Sequence, residues 1–188
     1  MKIYKYENYD EYVEAQTKAN IKKIKAVWVR RTTIQKIVKE NFIATTILCH
    51  GTRNAAEQRY FKEELPTAEI IGTEISSTAL EFPMTVQHDF HEVRDDWLNK
   101  FDIVYSNSFD HSYDPEKCIN TWKDQLNTNG SLYIECAWDP QDNRSRASDP
   151  LELSEKELLD LCSSCGLKLI SSFEEKEKGR SKIYRFKK

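Results

Sequence analysis

Polar residues follow the short apolar stretches of this chain in an order that suits a nucleotide-like ligand. The first stretch ends at Cys49 and is followed by His50-Gly51-Thr52-Arg53 and a helix-like segment. A loop that opens a helix exposes unpaired backbone N–H groups, which can hold a ligand against the main chain. One glycine in such a loop is common, so this signal predicts a site only together with residues at other strand ends.

Two carboxylates stand at later strand ends. Glu74 closes the second predicted strand about 20 residues after the glycine loop, where a carboxylate can accept hydrogen bonds from both hydroxyls of a ribose. Asp89 follows the third strand, and Phe90 comes next. A carboxylate there can accept from an adenine amino group while the ring covers the base. A solvated strand end for Glu74 and a helix cap for Asp89 are the alternatives.

The elements that must position these residues alternate between strand and helix. Short apolar or β-branched runs predict buried strands at Ile43–Cys49, Glu69–Ile75, Met84–His88, Phe101–Ser106 and Ser131–Cys136. Helices are predicted at Ala55–Leu65, Pro115–Leu126 and Ser154–Ser164. A closing antiparallel hairpin is predicted from Leu167–Phe173 and Lys182–Phe186, with its turn at Lys178-Gly179.

This alternation predicts an α/β fold, a Rossmann-like three-layer sandwich around a mostly parallel seven-stranded sheet with an antiparallel C-terminal strand. Residues 1–41 have a helix-like pattern and are expected to form an N-terminal helical cap on a main domain of residues 42–188. A chain of 188 residues suits one such structural unit. Ligands of these sheets lie beyond the carboxyl ends of the strands, where the strand order reverses.

The composition is that of an ordinary globular protein, with a net charge of -3 and 39% hydrophobic residues. No apolar run reaches the roughly 18 residues that span a bilayer, and no signal-peptide stretch follows Met1, so a cytoplasmic protein without membrane contact is expected. The five cysteines are expected to be reduced. Cys162 and Cys165 have metal or redox spacing, but no second pair completes a site, which favours core packing.

Taken together, the loops resemble those of class I S-adenosylmethionine-dependent methyltransferases, in a branch similar to methyltransferase type 11, over roughly Thr45 to Trp138. The segments that carry the resemblance are Ile47–Arg53, Gly72–Ile75, His88–Phe90, Phe101–His111 and Asn127–Leu132. It implies S-adenosylmethionine as cofactor and S-adenosylhomocysteine as product. The cofactor-binding residues that it implies are Cys49, His50, Gly51, Thr52, Arg53, Glu74, Ile75, Asp89, Phe90, Ser106 and Asn107.

The chain departs from the family pattern in two places. The usual acid at the end of the first strand is Cys49 here, which removes the expected partner of the methionine amino group. The second and third loop glycines are Arg53 and Ala55. The loop is then expected either to approach the cofactor less closely or to direct the Arg53 side chain toward the methionine carboxylate. An exposed surface position for Arg53 is the alternative.

The resemblance also places the residues after the fourth strand between cofactor and methyl acceptor, which implies catalytic roles for Asn107, Asp110 and His111. Methyl transfer needs in-line alignment and, for a hydroxyl acceptor, removal of a proton. An imidazole suits the second task, so His111 is predicted to be a general base. A structural hydrogen bond to the loop backbone is the alternative.

The predicted function is methyl transfer from S-adenosylmethionine to a small-molecule or saccharide-type acceptor. A catalytically silent cofactor-binding partner stays open because of Cys49 and Arg53, and a nucleic-acid methyltransferase stays open because the N-terminal region is basic. Nucleic acid is disfavoured, since Ser106–Phe109 does not match the Asn/Asp-Pro-Pro-Tyr/Phe loop of amino-methylating DNA enzymes. A nicotinamide oxidoreductase would need a Gly-x-Gly-x-x-Gly loop.

No metal site is predicted. The residues that could suggest one, His50, His88, His91 and Asp89, fall in different loops and form no helical His-x-x-x-His pair. The sequence carries no signal for an oligomeric state.

Overall fold

Strands and helices alternate along the chain in the computed structural model, which describes residues 1–138, 144–175 and 181–188. The helices are α1 (Tyr9–Lys22), α2 (Arg31–Glu40), α3 (Ala56–Glu64), α4 (Pro115–Gln125) and α5 (Glu155–Ser164). The strands are β1 (Lys2–Ile3), β2 (Thr46–His50), β3 (Glu69–Glu74), β4 (Thr85–Gln87), β5 (Phe101–Ser106), β6 (Leu126–Ala137), β7 (Leu151–Glu152), β8 (Lys168–Glu175) and β9 (Ser181–Lys187). Short 3₁₀ helices lie at Ser77–Glu81, Asp95–Trp97 and Phe109–His111.

The main sheet has seven strands in the order β4-β3-β2-β5-β6-β9-β8. The central strand β2 pairs in parallel with β3 on one side and with β5 on the other, so the strand order reverses at β2. Within the described sheet only β9 runs against its neighbours, β6 and β8. The predicted parallel sheet with an antiparallel C-terminal strand is confirmed. Separately, β1 and β7 form a two-stranded antiparallel sheet.

Helices cover both faces of the sheet because the central strands are apolar on both sides. Successive residues of a strand point to opposite faces. Leu48 accordingly joins a buried cluster that contains Trp122 of α4, whereas Ile47 and Cys49 join a second cluster that contains Ile37 of α2. The result is helix, sheet and helix in three layers, as the fold class predicted.

The amino-terminal region differs in part from the prediction. It is not helical throughout, since Lys2 and Ile3 form β1 against β7. The first strand of the main sheet starts at Thr46, whereas the apolar pattern predicted Ile43, whose side chain is exposed. Polar bonds set this start, because Asp102 Oδ2 accepts the backbone N–H groups of Thr45 at 2.7 Å and Thr46 at 3.0 Å.

Strand β6 is longer than predicted and includes the predicted turn. It begins at Leu126, directly after α4, and pairs with β5 at Leu126 and again from Ser131. Residues Asn127–Gly130 are therefore an irregularity within the strand. A Cβ at Gly130 would lie 2.6 Å from the carbonyl oxygen of Phe101, so the close approach of the two strands requires glycine there.

The other predicted elements agree with the structure to within a few residues. Helix α5 carries the capping box formed by Ser154 and Glu157. Cys162 and Cys165 are buried in the core, as expected. The hairpin of β8 and β9 is present, while its predicted turn lies outside the described residues. No helix in the described part of the chain is long and apolar enough to cross a membrane.

Asp102 joins the starts of three strands, because its second oxygen accepts from Asn127 at 2.7 Å. Replacing Asp102 with alanine should lower the free energy of unfolding by roughly 2 to 4 kcal/mol, since two backbone N–H groups lose a charged acceptor. Denaturant unfolding measures this loss. Asp124→Ala, at an exposed position near the end of α4, is the control and should cost less than about 0.5 kcal/mol. Equal losses would refute the role of Asp102.

Candidate cofactor and acceptor site

Two adjoining clefts lie at the carboxyl ends of β2, β3 and β5, where the strand order reverses. The first cleft measures about 480 Å³ and the second about 1120 Å³, each including its open mouth. Gly51, Arg53, Ser108 and His111 line both clefts and form their common wall. This position is where open parallel sheets bind their ligands.

Most of the predicted site residues line these clefts. Those at the first cleft are Gly51, Arg53, Glu74, Ile75, Asp89, Phe90 and His111. Those at the second cleft are Gly51, Thr52, Arg53, Asn107, Asp110 and His111. Helix α1 covers the first cleft with Tyr12, Gln16, Ala19 and Asn20. Loops far apart in sequence thus meet as predicted.

Three of the predicted cofactor-binding residues, Cys49, His50 and Ser106, are fully buried and are not among the described residues that line either cleft. His50 hydrogen-bonds Thr73 Oγ1 at 3.0 Å and Gln125 Oε1 at 2.8 Å. Burial lowers the pKa of His50 to about 3, so the ring is neutral. These residues form the floor beneath the loops, and the cofactor contacts predicted for them stay a prediction.

The glycine loop keeps a left-handed backbone where glycines are replaced. Gly51, Arg53 and Ala55 have φ angles of 69°, 38° and 59°. Such values favour glycine and cost other residues about 1 to 3 kcal/mol each. A Cβ at Gly51 would lie 2.7 Å from that of Ser108, so this position also needs glycine for space. The loop therefore has the backbone conformation that a glycine-rich loop would adopt, and Arg53 adds a side chain to it.

The two carboxylates of the first cleft are buried and already hold hydrogen bonds. Glu74 accepts the N–H of Ser76 at 3.0 Å. Asp89 Oδ1 accepts from the backbone and the ring of His91, and its Oδ2 accepts from the hydroxyl of Tyr9 at 2.9 Å. Burial acts to raise the pKa of Asp89, but these bonds prevail and hold it below its usual value. Asp89 is therefore ionised, and its Oδ2 is bonded to Tyr9 of α1.

His111 is oriented by α1. Its Nδ1 lies 2.8 Å from Gln16 Oε1, and the amide of Gln16 is fixed because its Nε2 donates to the carbonyls of Ala147 and Ser148 at 3.4 Å. With the amide in this orientation, Nδ1 is the donor and Nε2 carries the lone pair. Nε2 lies 3.8 Å from Asp149 Oδ1, close enough for the carboxylate to stabilise a protonated ring.

Three residues around His111 Nε2, His111 included, are of types that bind metal ions. The ligand atoms of Asp110, His111 and Asp149 all lie within 4.8 Å of one another. By contrast, both ring nitrogens of His91 are engaged, with Asp89 and with Ser112. The absence of a metal stays a prediction from the sequence.

Glu57 is a candidate that the sequence reasoning missed. It lies in the first turn of α3, lines the second cleft and is only 6% exposed. Its Oε1 accepts from Asn107 Nδ2 at 3.2 Å. Its Oε2 is buried and has no hydrogen-bond partner in the described part of the chain. Burial raises the pKa of Glu57 to about 7. A glutamate at the start of a helix gives no sequence signal of such burial.

Comparison with known proteins identifies the fold. No protein-family model matches the chain, and no curated protein matches its sequence. The 1,6-didemethyltoxoflavin N1-methyltransferase of Burkholderia thailandensis, solved with S-adenosylhomocysteine and 1,6-didemethyltoxoflavin, superposes with a TM-score of 0.77 at 13% identity. The match covers 98% of this chain and 92% of that chain.

Two further solved structures have the same architecture. Magnesium protoporphyrin IX methyltransferase of Synechocystis PCC 6803, with bound S-adenosylhomocysteine, has a TM-score of 0.66 at 10% identity, over 94% of this chain and 99% of that chain. Mitomycin 7-O-methyltransferase has a TM-score of 0.64 at 16% identity, over 84% of this chain and 53% of that chain, so this chain spans about half its length. The fold of this chain is therefore the Rossmann-like fold of class I S-adenosylmethionine-dependent methyltransferases.

Proposed function

We propose that this chain binds S-adenosylmethionine in the first cleft and transfers its methyl group to a small molecule in the second. The observation that carries the proposal is the junction of the clefts at Gly51, Ser108 and His111, with Glu74 and Asp89 on the cofactor side. The three similar structures are methyltransferases, and two of them were solved with S-adenosylhomocysteine. A donor and an acceptor that share one wall can be aligned for direct transfer.

The first cleft offers groups that fit each part of the cofactor. Glu74 would accept hydrogen bonds from the ribose hydroxyls, Asp89 from the adenine amino group, and Phe90 would cover the adenine ring. Backbone N–H groups of the left-handed loop and the Arg53 guanidinium would hold the methionine carboxylate. The cofactor contacts of the remaining residues stay predictions from the sequence, and these residues are Cys49, His50, Thr52, Ile75, Ser106 and Asn107.

On the acceptor side, the chain would align a nucleophile and remove its proton. The bound cofactor supplies a methyl group on a sulfonium, whose transfer leaves a neutral thioether. In our proposal His111 Nε2 takes the proton of a hydroxyl nucleophile, and Asp149 and Asp110 stabilise the imidazolium. Asn107, held by Glu57, would orient the acceptor at the cleft wall.

Within the proposed class, a saccharide-type acceptor remains an expectation from the sequence, as do a cytoplasmic location and the cap role of residues 1–41 over the domain 42–188. The Tyr9–Asp89 and His111–Gln16 contacts support the cap role, because both come from α1. A catalytically silent partner is the main alternative. It would bind the cofactor without turnover of any acceptor.

The cofactor site is tested by S-adenosylhomocysteine binding. We expect wild-type protein to bind it in calorimetry, and Glu74→Ala to bind at least about tenfold more weakly, because hydrogen bonds to a carboxylate are lost. Glu69→Ala is the matched control, since Glu69 lies at the opposite end of β3, where its exposed side chain accepts a hydrogen bond from Lys100. Its affinity should equal that of the wild type. No binding by wild-type protein would refute the proposed function.

Tyr9 should compete with the adenine amino group for Asp89. Tyr9→Phe removes the hydroxyl that occupies Oδ2, so S-adenosylhomocysteine should bind roughly fivefold more tightly, as expected when one ordinary hydrogen bond no longer has to be broken. Tyr4→Phe, in the same aromatic cluster, is the control. Weaker binding by Tyr9→Phe would mean that the hydroxyl itself contacts the cofactor.

A further inference from the structure

The second cleft contains charges of both signs. The charged residues of its lining are the cations Lys23, Arg30, Arg53 and Arg146 and the acids Glu57, Asp110, Glu135 and Asp149. Glu135 is satisfied, because its oxygens accept from the hydroxyls of Tyr105 and Ser181, each at 2.6 Å. Glu57 differs, since one of its oxygens is left without a donor. The cleft therefore suits a ligand with polar groups that match these charged side chains.

When Glu57 is ionised, its free oxygen Oε2 needs a hydrogen-bond donor, since only the protonated carboxyl can donate from that atom. Leaving a buried polar atom unsatisfied costs about 1 to 3 kcal/mol, and more for a charged group. The bond from Asn107 occupies only Oε1. A donor on a ligand in the cleft, a hydroxyl or an amino group, would satisfy Oε2. Asn107 would then stand beside the same donor, at the end of β5.

Of the four cations that line the second cleft, Lys23 and Arg30 are available to an anion on the acceptor, because Arg146 pairs with Asp149 and Arg53 is assigned to the methionine carboxylate. Neither Lys23 nor Arg30 takes part in an ion pair within 4.0 Å in residues 1–138, 144–175 and 181–188. Arg30 and Arg53 do act at longer range, since each lowers the pKa of a neighbouring acid against the larger effect of burial, Glu135 and Glu57 respectively. An anionic group on the ligand would neutralise this part of the cleft.

Part of the lining of the second cleft is apolar. Trp28 is 58% exposed and lines the cleft together with Val27 and Ala26. A large exposed indole in a binding cleft is a stacking surface for another ring. These three residues precede Arg30 and α2 in the chain.

We infer that the methyl acceptor is a planar aromatic compound that carries an anionic group, bound by Arg30 and Lys23, and a hydroxyl or amino group that donates to Glu57. The inference rests on the proposed function and names its substrate class. Glu57 acts as a specificity residue that orients the ring, whereas His111 removes the proton of the reacting group.

The ionisation of Glu57 can be measured without an acceptor. Because the folded-state pKa is about 7, above that of an exposed carboxyl, the native state binds the extra proton. The contribution of Glu57 to the free energy of unfolding should therefore be fully present below about pH 4.5 and be lost as the pH rises to about 7. Glu57→Gln should remove this part of the decline in melting temperature. Identical pH profiles for both proteins would show that Glu57 is not protonated in the fold.

The acceptor class is tested with four probes added to protein saturated with S-adenosylhomocysteine. They are 3-hydroxybenzoate, 3-aminobenzoate, 3-methylbenzoate, which lacks the donor, and 3-hydroxybenzamide, which lacks the anion. Ligand-observed NMR titration should show the first two binding about tenfold more tightly than the others. Glu57→Met should abolish the preference over 3-methylbenzoate, and Glu57→Gln, which keeps an acceptor oxygen, should retain part of it.

Arg30→Met should weaken the two protic benzoates several-fold and leave 3-hydroxybenzamide unchanged. Arg31→Met is the control, since Arg31 pairs with Glu63 on α3. Every variant should bind S-adenosylhomocysteine within about twofold of the wild type, which checks its fold. If the protic benzoates fail to bind, or if Glu57→Met keeps the preference, the acceptor inference is wrong. If wild-type protein does not bind S-adenosylhomocysteine, the proposed function is refuted instead.

Discussion

Hydrogen bonds between the ends of β2 and β5 fix the wall that separates the two clefts. Ser106 Oγ donates to the carbonyl of His50 at 3.1 Å and accepts the N–H of Ser108 at 3.0 Å. Ser108 Oγ in turn donates to the carbonyl of Gly51 at 3.0 Å. The backbones approach so closely that residue 51 has no room for a Cβ. Both clefts depend on this contact, because Gly51 and Ser108 form the wall between them.

The floor below that contact is a polar side chain buried in an otherwise apolar core. The His50 ring stacks on Trp122 with centroids 5.0 Å apart, and its two nitrogens bond Thr73 and Gln125. A fully satisfied buried group of this kind fixes one geometry, because any shift leaves a partner unpaired. The His50 side chain thus supports the loop from below, where the family resemblance had implied contact with the cofactor.

The sequence predicts the fold and the residues that line the first cleft better than the charged residues of the second. Strand period, turn residues and the spacing of Gly51 and Glu74 are local signals, and they were sufficient for the sheet and for the loops at its carboxyl edge. Glu57 and Asp149 carry no such signal. One lies in a helix whose charged pattern suggests solvent, and the other reaches His111 only because the segment before β7 folds back beneath α1.

Helix α1 links the two clefts physically. At its start Tyr9 bonds Asp89, which lines the first cleft, and about two turns later Gln16 bonds His111, which lines both clefts. Gln16 also donates to the carbonyls of Ala147 and Ser148. Helix α1 therefore contributes one contact to a carboxylate of the first cleft and one to the histidine in the wall that the two clefts share. The order of α1 and the geometry of that wall rest on the same set of side-chain hydrogen bonds.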